Sequence, residues 1–385
     1  MLVKYKNNTA DTQIIEYIAN EIRKHAEEWY GDKAVLLDST PSIQTFDSSF
    51  FLRFSIANHS EEPHYLLVKV RRHPKMTSLA ETMSTPKIHV NMPGEFRALK
   101  TVSDFSPYFD KGLGAVRPLL YLNELNAIIL EECPSLTMTK ILTSCAKSSI
   151  QMKKNIRRMI DAATKTGQWL SIYHEKIHTC KVIDYSNAII LSQIHQLLER
   201  LEIASQKKVN KNQLCKEFEE ALSKTSVNKI EYTTNHGDMT CDNILYSTDH
   251  KAYSIDIKAK EAPIYADLGI LLVHPETFKF QLLSFGIILR ESLLKKYRRA
   301  IIQGYFGNRS PNYFLIYFYS AINILDKWVM YQEILYGYKG IKRLASFAGT
   351  ILLITYFKRK IRKYLNRAVQ SNIKFMDLQL SCSEG

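Results

Sequence analysis

The feature that most constrains the fold of this chain is a change in its hydrophobic pattern near Pro134. Residues 34–131 carry short apolar and β-branched runs separated by turn-forming residues, which predicts antiparallel strands. Beyond Pro134, apolar residues recur at helical spacing up to about Val369. The 385 residues are enough for two parts with their own cores. We therefore predict a two-lobed α+β fold, with a small antiparallel β lobe at residues 1–132 and a larger, mostly helical lobe at residues 133–385.

The local patterns predict individual elements in each part. In the first part, they predict a helix starting near Pro93, an opening helix at Thr12–Tyr30, and strands at Ala34–Leu37, Phe50–Ile56, Tyr65–Val70 and twice within Tyr121–Glu131. In the second part, they predict helices at Ile156–His174, Asn187–Ser205 and Asn212–Lys224. The connecting segment is Glu131-Glu132-Cys133-Pro134, and ligand sites favour such junctions.

The composition is that of a globular intracellular protein, with 45% hydrophobic and 23% charged residues. No apolar segment follows a basic start at the N-terminus, which argues against a signal peptide. The six cysteines are scattered without a CxxC pair, which is typical of reduced thiols and not of a disulfide frame or a zinc site. We therefore expect a cytoplasmic protein.

The unusual bulk property is a net charge of +14. Such an excess indicates an anionic partner, which is nucleic acid, anionic lipid or an acidic substrate, unless the charge serves solubility alone. No nucleic-acid-binding module accompanies the charge, so nucleic acid is the partner with least support.

The densest set of chemically useful residues lies in the segment 232–269. Asp238 and Asn243 are five residues apart on one predicted loop, and Asp256 lies thirteen residues further, at the end of a short apolar strand. A strand–loop–strand hairpin would bring these three side chains to one edge. In phosphoryl transfer, an aspartate that orients a hydroxyl works close to carboxylate and amide ligands of Mg²⁺. The spacing therefore indicates a site for phosphoryl transfer.

The same segment resembles the aminoglycoside phosphotransferase and choline kinase family, which are small-molecule kinases with a protein-kinase-like fold. The family pattern H-G-D-x-x-x-x-N-[IVL]-L is present as His236–Leu245, and the strand-borne I-D as Ile255-Asp256. The P-x-x-D-L-[AG] pattern is similar to Pro263–Gly269, with one extra residue. A lone H-x-D pattern is weak evidence for this family. All three patterns in this order, after a β-rich lobe, are specific evidence for it. In outline the resemblance covers roughly residues 34–275.

The resemblance implies a role for each polar residue of the segment. Asp238 would be the catalytic base, or would orient the acceptor hydroxyl, while Asn243 and Asp256 would hold Mg²⁺ on the phosphates of ATP. Asp267 would brace the catalytic loop from the start of a helix, and His236 would hold the backbone of that loop.

Two other residues of the second part are interpreted as structural. His174, at the end of a predicted helix, stands where the family has a histidine and is expected to pack. Cys241, beside Asp238, is expected to be an ordinary small side chain and not a nucleophile.

In the first part, Lys69 lies in the apolar strand Leu66–Val70 and projects from the face opposite to its neighbours, where a buried amine needs a partner. The resemblance implies two partners for it, the nucleotide phosphates and a helix glutamate, Glu95. The alternatives are a solvated edge-strand lysine and an exposed helix glutamate. At the connecting segment, the carbonyl of Glu131 and the amide of Cys133 would meet the adenine edge.

Two positions depart from the family pattern. The turn that corresponds to the glycine-rich phosphate loop, Ser39–Ser49, contains no glycine, although its amides and hydroxyls could still contact phosphate. Asp256 is followed by Ile257 and Lys258, where the family often has an aromatic and then an acidic residue. Lys258 is either a phosphate contact or a solvent-exposed side chain.

A basic helix is predicted near the C-terminus, since no Asp or Glu occurs between Ile334 and Phe375. Its apolar face comprises Ile354, Phe357, Ile361 and Leu365. Its cationic residues are Lys339, Lys342, Arg343, Lys358, Arg359, Lys360, Arg362, Lys363, Arg367 and Lys374. Such a helix either lies on an anionic membrane surface or packs on the protein with a solvated basic face. The apolar stretch Leu344–Phe357 is too short to span a bilayer.

Taken together, the sequence predicts an ATP-dependent phosphotransferase that uses Mg²⁺ and acts on a hydroxyl of a small molecule. Because an aminoglycoside is a polycation, the positive chain favours a neutral or anionic acceptor, such as a sugar, a phosphorylated sugar or a glycan intermediate. The alternative is a pseudokinase that binds a partner through its basic surface. The glycine-free turn favours that alternative, and the intact Asp-Asn-Asp set opposes it.

Overall fold

The computed structural model describes residues 9–46, 48–58, 63–72, 76–83, 92–146, 151–184, 186–206, 209–225, 227, 229–337 and 341–383; for 341–350 and 373–383 it describes the backbone only. The chain forms two compact units. Unit 1 comprises Met1–Ser135, Ser247–Asp249 and Tyr253–Ala259, and unit 2 comprises Leu136–Tyr246, His250–Ala252 and Lys260–Gly385. The predicted functional domains, 1–132 and 133–385, stay a prediction.

The described residues of unit 1 form an antiparallel sheet and three α-helices. Its helices are α1 (Thr9–Tyr30), α2 (Leu79–Met83) and α3 (Met92–Phe105). Its strands are β1 (Val35–Leu36), β2 (Ser42–Thr45), β3 (Ser49–Ala57), β4 (His64–Arg71), β5 (Pro118–Leu122) and β6 (Ala127–Glu131). The strand order is β1-β3-β4-β6-β5, and β2 also pairs with β3. This sheet confirms the predicted antiparallel β-rich part.

The core of unit 1 forms between α1 and one face of the sheet. Period-2 alternation in β4 buries Leu66, Val68 and Val70 in the same cluster as Ile18 and Ile22 of α1. The odd-numbered residues of β4, including Lys69, therefore project from the opposite face of the sheet. The alternation in β4 thus places Lys69 on the face of the sheet that is not covered by α1.

Unit 2 is mostly helical. Its helices are α4 (Met138–Ala146), α5 (Met152–Ile172), α6 (Asn187–Ala204), α7 (Lys211–Leu222), α8 (Ile264–Val273), α9 (Lys279–Leu283), α10 (Glu291–Phe306), α11 (Tyr313–Tyr336) and α12 (Ile341–Ser383). The remaining strands are β7 (Ser135–Thr137), β8 (Lys181–Asp184), β9 (Lys229–Asn235), β10 (Ile244–Ser247), β11 (Ala252–Ser254) and β12 (Lys260–Pro263). Strand β9 pairs antiparallel with both β8 and β12. With the sheet of unit 1, these helices confirm the predicted α+β class.

Helix α11 is the centre of unit 2 and packs against α6, α8 and α12.

Helices α5 and α10 cross closely, because each has a glycine at the contact. A Cβ at Gly304 would overlap the carbonyl of Thr164, and a Cβ at Gly167 would overlap the carbonyl of Ile301. This crossing places Tyr297 and Tyr305 of α10 in the buried core.

The C-terminal helix α12 packs on unit 2 over its described side chains. Phe357, Ile361 and Leu365 are buried, as the predicted apolar face requires, and Phe357 stacks on Trp328 at 5.9 Å between ring centroids. Its cations form ion pairs, including Arg362 with Glu217 at 2.7 Å. Of the predicted basic residues, Lys339, Lys342, Arg343 and Lys374 lie outside the described side chains. Among the described helices, none has both the length and the apolar composition to cross a membrane.

Several predicted boundaries were wrong. The strand at Ala34–Leu37 has only the two paired residues of β1, and the turn at Ser39–Ser49 contains the strand β2. The helix Ile156–His174 begins earlier, at Met152, and ends in a π-helical turn at Tyr173–Ile177. Among the described residues, Cys133, Cys145, Cys180, Cys215 and Cys241 are free cysteines.

Candidate active site

The first group of predicted site residues lies in unit 1 and is centred on Lys69. Its Nζ donates to Oε1 of Glu95 on α3 at 2.6 Å and also to Oδ1 of Asp256. Arg71, two residues along β4 and therefore on the same face, donates to the second oxygen of Glu95 at 3.1 Å. Lys69 is only 1% exposed, so its ion pair with the buried Glu95 is shielded from water, whereas the Asp256 side chain is 26% exposed. We call these four residues the lysine cluster.

The two carboxylates of the lysine cluster differ in the direction of their pKa shifts. Burial raises the pKa of Glu95, and the charge of Asp256 acts in the same direction, although Lys69 and Arg71 oppose the shift. Burial acts in the same direction on Asp256, but Lys69 and Arg71 outweigh it and lower the pKa of Asp256 to about 2. The lowered pKa keeps the Asp256 carboxylate, whose side chain is 26% exposed, negatively charged. Asp256 is therefore the carboxylate available to a cation.

Asp256 also has an unusual backbone conformation. Its φ of +60° is in the left-handed region, which costs roughly 1 kcal/mol or more for a residue with a Cβ. Ala259, three residues later, has a φ of +47°. Both residues lie in a segment without regular structure between β11 and β12. The segment that follows the strand is thus bent so that its carboxylate reaches Lys69.

The predicted adenine-binding positions lie at the end of the sheet of unit 1. Glu131 is the last residue of β6, where it pairs with Leu66 of β4, and its amide donates to the carbonyl of Arg117 at 3.0 Å. Cys133 lies two residues beyond, and its carbonyl accepts from the hydroxyl of Ser135 at 2.9 Å. Burial raises the pKa of the Cys133 thiol, which keeps the side chain neutral. The role of these two residues stays a prediction.

The second group lies in unit 2, in the loop that follows β9. Asp267, in the first turn of α8 and 2% exposed, accepts from the amide of His236 at 2.6 Å and from the amide of Gly237 at 3.0 Å. Gly237 has a φ of +78°, a conformation that glycine adopts without a steric penalty. The two oxygens of one buried carboxylate thus bind two consecutive amides. This is the geometry expected of a residue that braces the loop.

His174 completes this arrangement. It is fully buried, with Nε2 3.1 Å from Oδ2 of Asp267 and Nδ1 2.9 Å from the hydroxyl of Tyr305. The hydroxyl of Thr233 in β9 donates to the His174 carbonyl at 2.9 Å. The sequence interpretation treated His174 as packing, but the ring also orients the carboxylate that holds the loop. We call His174, His236, Gly237 and Asp267 the loop clamp.

Asp238 and Asn243 are joined by the turn between them. The carbonyl of Asp238 accepts from the amide of Thr240 at 2.7 Å and from Nδ2 of Asn243 at 2.9 Å. The amide of Asp238 donates to Nδ1 of His236 at 3.3 Å, as expected for a residue that holds the loop backbone. The backbone of Asp238 is thus fixed on both sides. The predicted proximity of Asp256 to these two residues stays a prediction.

Residues that were not selected from the sequence support the far end of the loop. The amide of Cys241 donates to Nδ1 of His274 at 3.1 Å, and Sγ of Cys241 lies 3.4 Å from the hydroxyl of Tyr297. Burial, together with the positive charge of Lys327, lowers the pKa of His274 to about 4. Burial raises the pKa of the Cys241 thiol, so it is a poor nucleophile. No local pattern marks His274, because its contact depends on tertiary packing.

Comparison with known proteins gives structural neighbours but no sequence relatives. No protein-family model matches the chain, and no curated protein matches it with significance. A solved ethanolamine kinase from Plasmodium vivax is similar with a TM-score of 0.49 and 8% identity, over 94% of this chain and 99% of that one. A choline kinase from Cryptosporidium parvum has a TM-score of 0.47 and 14% identity, over 94% and 97% of the two chains. An amicoumacin kinase, solved with AMP-PNP and Ca²⁺, has a TM-score of 0.46 and 12% identity, over 92% and 96%. By their descriptions these proteins are small-molecule kinases, the class that the sequence motifs resemble.

Proposed function

We propose that this protein is an ATP-dependent phosphotransferase that transfers the γ-phosphate to a hydroxyl of a small molecule. The observation that carries the proposal is the lysine cluster. Lys69 is 26 residues from Glu95 and 187 from Asp256 in sequence, yet its Nζ donates to both carboxylates. Phosphoryl transfer in kinases requires a strand lysine paired with a helix glutamate and an aspartate that holds Mg²⁺, and Lys69, Glu95 and the ionised Asp256 are residues of these types.

In this proposal, residues 1–132 bind the nucleotide, with Lys69 on its phosphates and Glu95 as the group that positions Lys69. Glu131 and Cys133 would take the adenine edge through their backbone. Lys69 is charged and held by carboxylates that an incoming phosphate can replace as partners. The second predicted domain, 133–385, would supply the catalytic loop and the acceptor site.

The residues proposed to hold Mg²⁺ fit a hard cation. Asp256 keeps its negative charge, because its pKa is lowered to about 2, and a carboxylate must be deprotonated to bind a metal. Asn243 donates from Nδ2 to the Asp238 carbonyl, which directs the opposite end of its amide, the oxygen, away from that bond. Carboxylate and amide oxygens are ligands that Mg²⁺ accepts. When bound, the ion would neutralise charge on the transferred phosphate.

Asp238 would orient the acceptor hydroxyl and take up its proton. Its backbone is fixed by His236, Thr240 and Asn243, and Asp267 fixes the amides that precede it. Catalysis would therefore come mainly from positioning and from charge neutralisation, and little reorganisation of the loop would be needed during the reaction.

For the acceptor we propose a neutral or anionic molecule with a sugar hydroxyl. The net charge of +14 supports this choice over a polycation. Within unit 2, the positive charge of Lys327 is close enough to His274 to lower its pKa, and His274 holds the end of the loop that contains Asp238. Asp242 and Asp238 act on the same ring in the opposite direction, so charges of both signs lie at this end of the loop and the choice of acceptor rests on the net charge.

The second candidate function is a pseudokinase that binds a partner without turnover. The observation that favours it is the hairpin of β2 and β3, which stands where a glycine-rich phosphate loop was expected. The amide of Phe46 donates to the carbonyl of Ser49 at 2.9 Å, and Nε of Arg72 donates to the carbonyl of Phe46 at 2.7 Å. A hairpin closed in this way offers fewer backbone amides to phosphate.

An anionic membrane surface as a further partner of α12 has less support. Three of its cations, Lys360, Lys363 and Arg367, are in ion pairs with Glu276 or Glu291. Arg362 is paired as well. Cations that are already paired add little to membrane attraction. A cytoplasmic location with an acceptor free in solution remains the proposal.

The test is a screen of sugars, sugar phosphates and glycan intermediates with labelled ATP and Mg²⁺. We expect label transfer to at least one acceptor, and we expect Asp238→Ala to reduce it by about 10³-fold or more while ATP still raises the melting temperature. The matched control is Asp242→Ala, which removes a carboxylate of the same loop that is 63% exposed. Nucleotide binding without Mg²⁺-dependent turnover on any acceptor would favour the pseudokinase. Full activity of Asp238→Ala would refute the assignment of Asp238.

A further inference from the structure

Unit 2 contains a second site, a cavity formed by α10, the start of α11 and the middle of α12. Its volume is about 990 Å³, at the upper end of the range for small-molecule pockets, roughly 300–1,000 Å³. None of its lining residues belongs to the loop clamp or the loop that contains Asp238. Among the described residues of the lining, the cationic ones are Lys295, Arg298, Arg299, Arg309 and Arg367, and the only carboxylate is Glu291.

The one carboxylate of the lining is already neutralised. Glu291 accepts from Arg298, from Lys363 at 2.8 Å and from Arg367 at 3.2 Å. Arg298 also donates to the fully buried Glu276 at 2.7 Å, so its guanidinium is held rigidly at the edge of the cavity. Arg309 is fixed by Glu175 at 2.6 Å. These pairs build a fixed cationic wall and do not remove the excess charge.

Two cations of the lining have no such partner. Lys295 and Arg299 are exposed side chains one turn apart on α10, and within the part of the chain that the structure describes neither forms an ion pair. Like charges at this spacing repel each other and weaken the helix slightly. Because Lys295 and Arg299 lie one turn apart on the same face of α10, an anion with more than one negative charge can contact both.

The opposite part of the lining is aromatic. Tyr313 and Tyr317 stack at 6.0 Å between ring centroids, with an interplanar angle of 23°. Tyr313 is 42% exposed, and the guanidinium of Arg367 lies 6.0 Å from the ring centre of Tyr317. A flat aromatic face beside free cations suits a ligand that has an apolar ring face and phosphates on the same molecule.

From this arrangement we propose that the cavity binds a phosphorylated carbohydrate, with its phosphates on Lys295 and Arg299 and its sugar ring against Tyr313. Arginine and lysine are the side chains that bind phosphate best, and the C–H face of a sugar ring covers an exposed tyrosine without a hydrogen-bond requirement. The ligand could be a soluble sugar phosphate or the phosphorylated glycan of a lipid, since both offer this chemistry.

The inference does not depend on the proposed phosphotransfer, because the cavity binds its ligand without ATP or a metal. Helix α10 nevertheless connects the two sites. Tyr297 lies 3.4 Å from Sγ of Cys241 in the catalytic loop, and the next residue, Arg298, lines the cavity. A ligand on α10 is therefore placed to affect the far end of that loop.

The test is calorimetric titration of the full-length protein at low salt, without ATP. The probes are fructose 1,6-bisphosphate, fructose, inorganic phosphate and AMP. We expect fructose 1,6-bisphosphate to bind most tightly and Lys295→Glu/Arg299→Glu to weaken it by about tenfold or more. The matched control is Lys279→Glu/Lys296→Glu, which makes the same change of charge at exposed lysines outside the lining and should leave the affinity within about twofold.

The aromatic contact is tested separately. Tyr313→Ala should weaken binding of fructose 1,6-bisphosphate several-fold and leave inorganic phosphate unchanged, whereas Tyr336→Ala, a tyrosine 57% exposed at the other end of α11, should change neither. Arg299→Gln replaces the double variant if that variant does not fold. No binding of fructose 1,6-bisphosphate, equal binding by the charge-reversed protein, or tighter binding of AMP would each overturn the proposal for a soluble ligand.

A final comparison distinguishes the two sources of the ligand. Phosphatidylcholine vesicles that carry a bisphosphorylated disaccharide lipid are compared with vesicles that carry phosphatidylglycerol at the same charge. The lipid-borne glycan is supported if the protein binds only the first vesicles and the Lys295→Glu/Arg299→Glu variant does not bind them. This holds even if the soluble sugar binds with low affinity. Equal binding to both vesicles would show simple charge attraction and would overturn the lipid-borne form of the proposal.

Discussion

The lysine cluster and the loop clamp hold their functional residues by different forces. In the lysine cluster, Lys69 is bound by two carboxylates, and each contact is an ion pair. In the loop clamp, Asp267 binds two backbone amides and one imidazole nitrogen. Ion-pair partners can be exchanged for a phosphate or a metal, whereas a carboxylate that closes a backbone turn cannot leave without disordering it. The partners of Lys69 are therefore exchangeable, whereas the partners of Asp267 are part of the backbone turn itself.

The two regions also differ in the residue type that adopts the left-handed backbone conformation. The clamp has Gly237 at a φ of +78°, where no side chain is strained. The cluster has Asp256 at a φ of +60°, so it bears a conformational cost that the contact with Lys69 must offset. Of these two regions, only the lysine cluster has a residue with a side chain in the left-handed conformation.

The largest effect is expected from breaking the clamp. Asp267→Ala leaves two buried amides without their acceptor and should lower the free energy of unfolding by about 4 kcal/mol, together with turnover. Urea unfolding measures the change. Asp267→Asn keeps one acceptor oxygen, so its free energy of unfolding should fall less than that of the alanine variant. An Asp267→Ala protein with wild-type stability would show that the loop is held by other contacts.

Breaking the lysine cluster should cost somewhat less, because it is partly open to water. Lys69→Met leaves Glu95 and Asp256 facing each other and should lower the unfolding free energy by about 3 kcal/mol. Adding Glu95→Gln removes one of the two charges and should restore part of that stability, but not the thermal shift caused by ATP. Additive losses in the double variant would mean that the two side chains are not energetically coupled.

Sequence patterns foresaw the lysine cluster better than the clamp. Alternation in β4 predicts that Lys69 faces away from Leu66, Val68 and Val70, and the structure has this arrangement. The helix that carries Glu95 was also predicted from its start near Pro93, and the structure has it at Met92–Phe105. These inferences succeed because they depend on patterns within single elements. The choice of Glu95 as the partner of Lys69 came from the resemblance, and the contact of Lys69 with Asp256, which spans 187 residues, was not predicted.

The supporting residues of the catalytic loop show where sequence reasoning stops. His174 reaches Asp267 from a π-helical turn, and His274 reaches the amide of Cys241 from a 3₁₀ turn at His274–Thr277. Neither turn has a hydrophobic period that would mark it. Strand β2 was missed for a similar reason, since its four residues are polar or half-exposed and lie at the edge of β3. Its alternation is too short to distinguish it from a turn.

The lysine cluster and the far end of the loop, which His274 supports, should lose stability in different pH ranges. The pKa of His274 is lowered from 6.5 to about 4, so the folded state resists its protonation and stability falls as the pH drops through that range. The pKa of Asp256 is lowered from 3.8 to about 2, so its contribution to stability is present above pH 3.8 and is lost as the pH falls towards 2.

We expect the free energy of unfolding to fall by about 2 kcal/mol in the upper pH range, measured by unfolding at a series of pH values. His274→Gln should flatten the upper range only, and Asp256→Asn the lower range only. Identical pH profiles for the two variants would contradict this assignment.

The smallest effect, about 1 kcal/mol, is expected from exchanging glycine and a side chain at the two left-handed positions. Asp256→Gly and Asp256→Ala both remove the ion pair to Lys69, so the difference between them isolates the backbone cost at a φ of +60°. The glycine variant should be the more stable of the two. Gly237→Ala is the reciprocal change and should destabilise the clamp by a similar amount, since it introduces a Cβ at a φ of +78°. Urea unfolding of the three variants provides the measurement.

Asp256→Ala and Asp256→Gly could have equal stability while Gly237→Ala is destabilised. That result would mean that the segment around Asp256 relaxes once its ion pair is lost, and that the strain there is imposed by Lys69 itself.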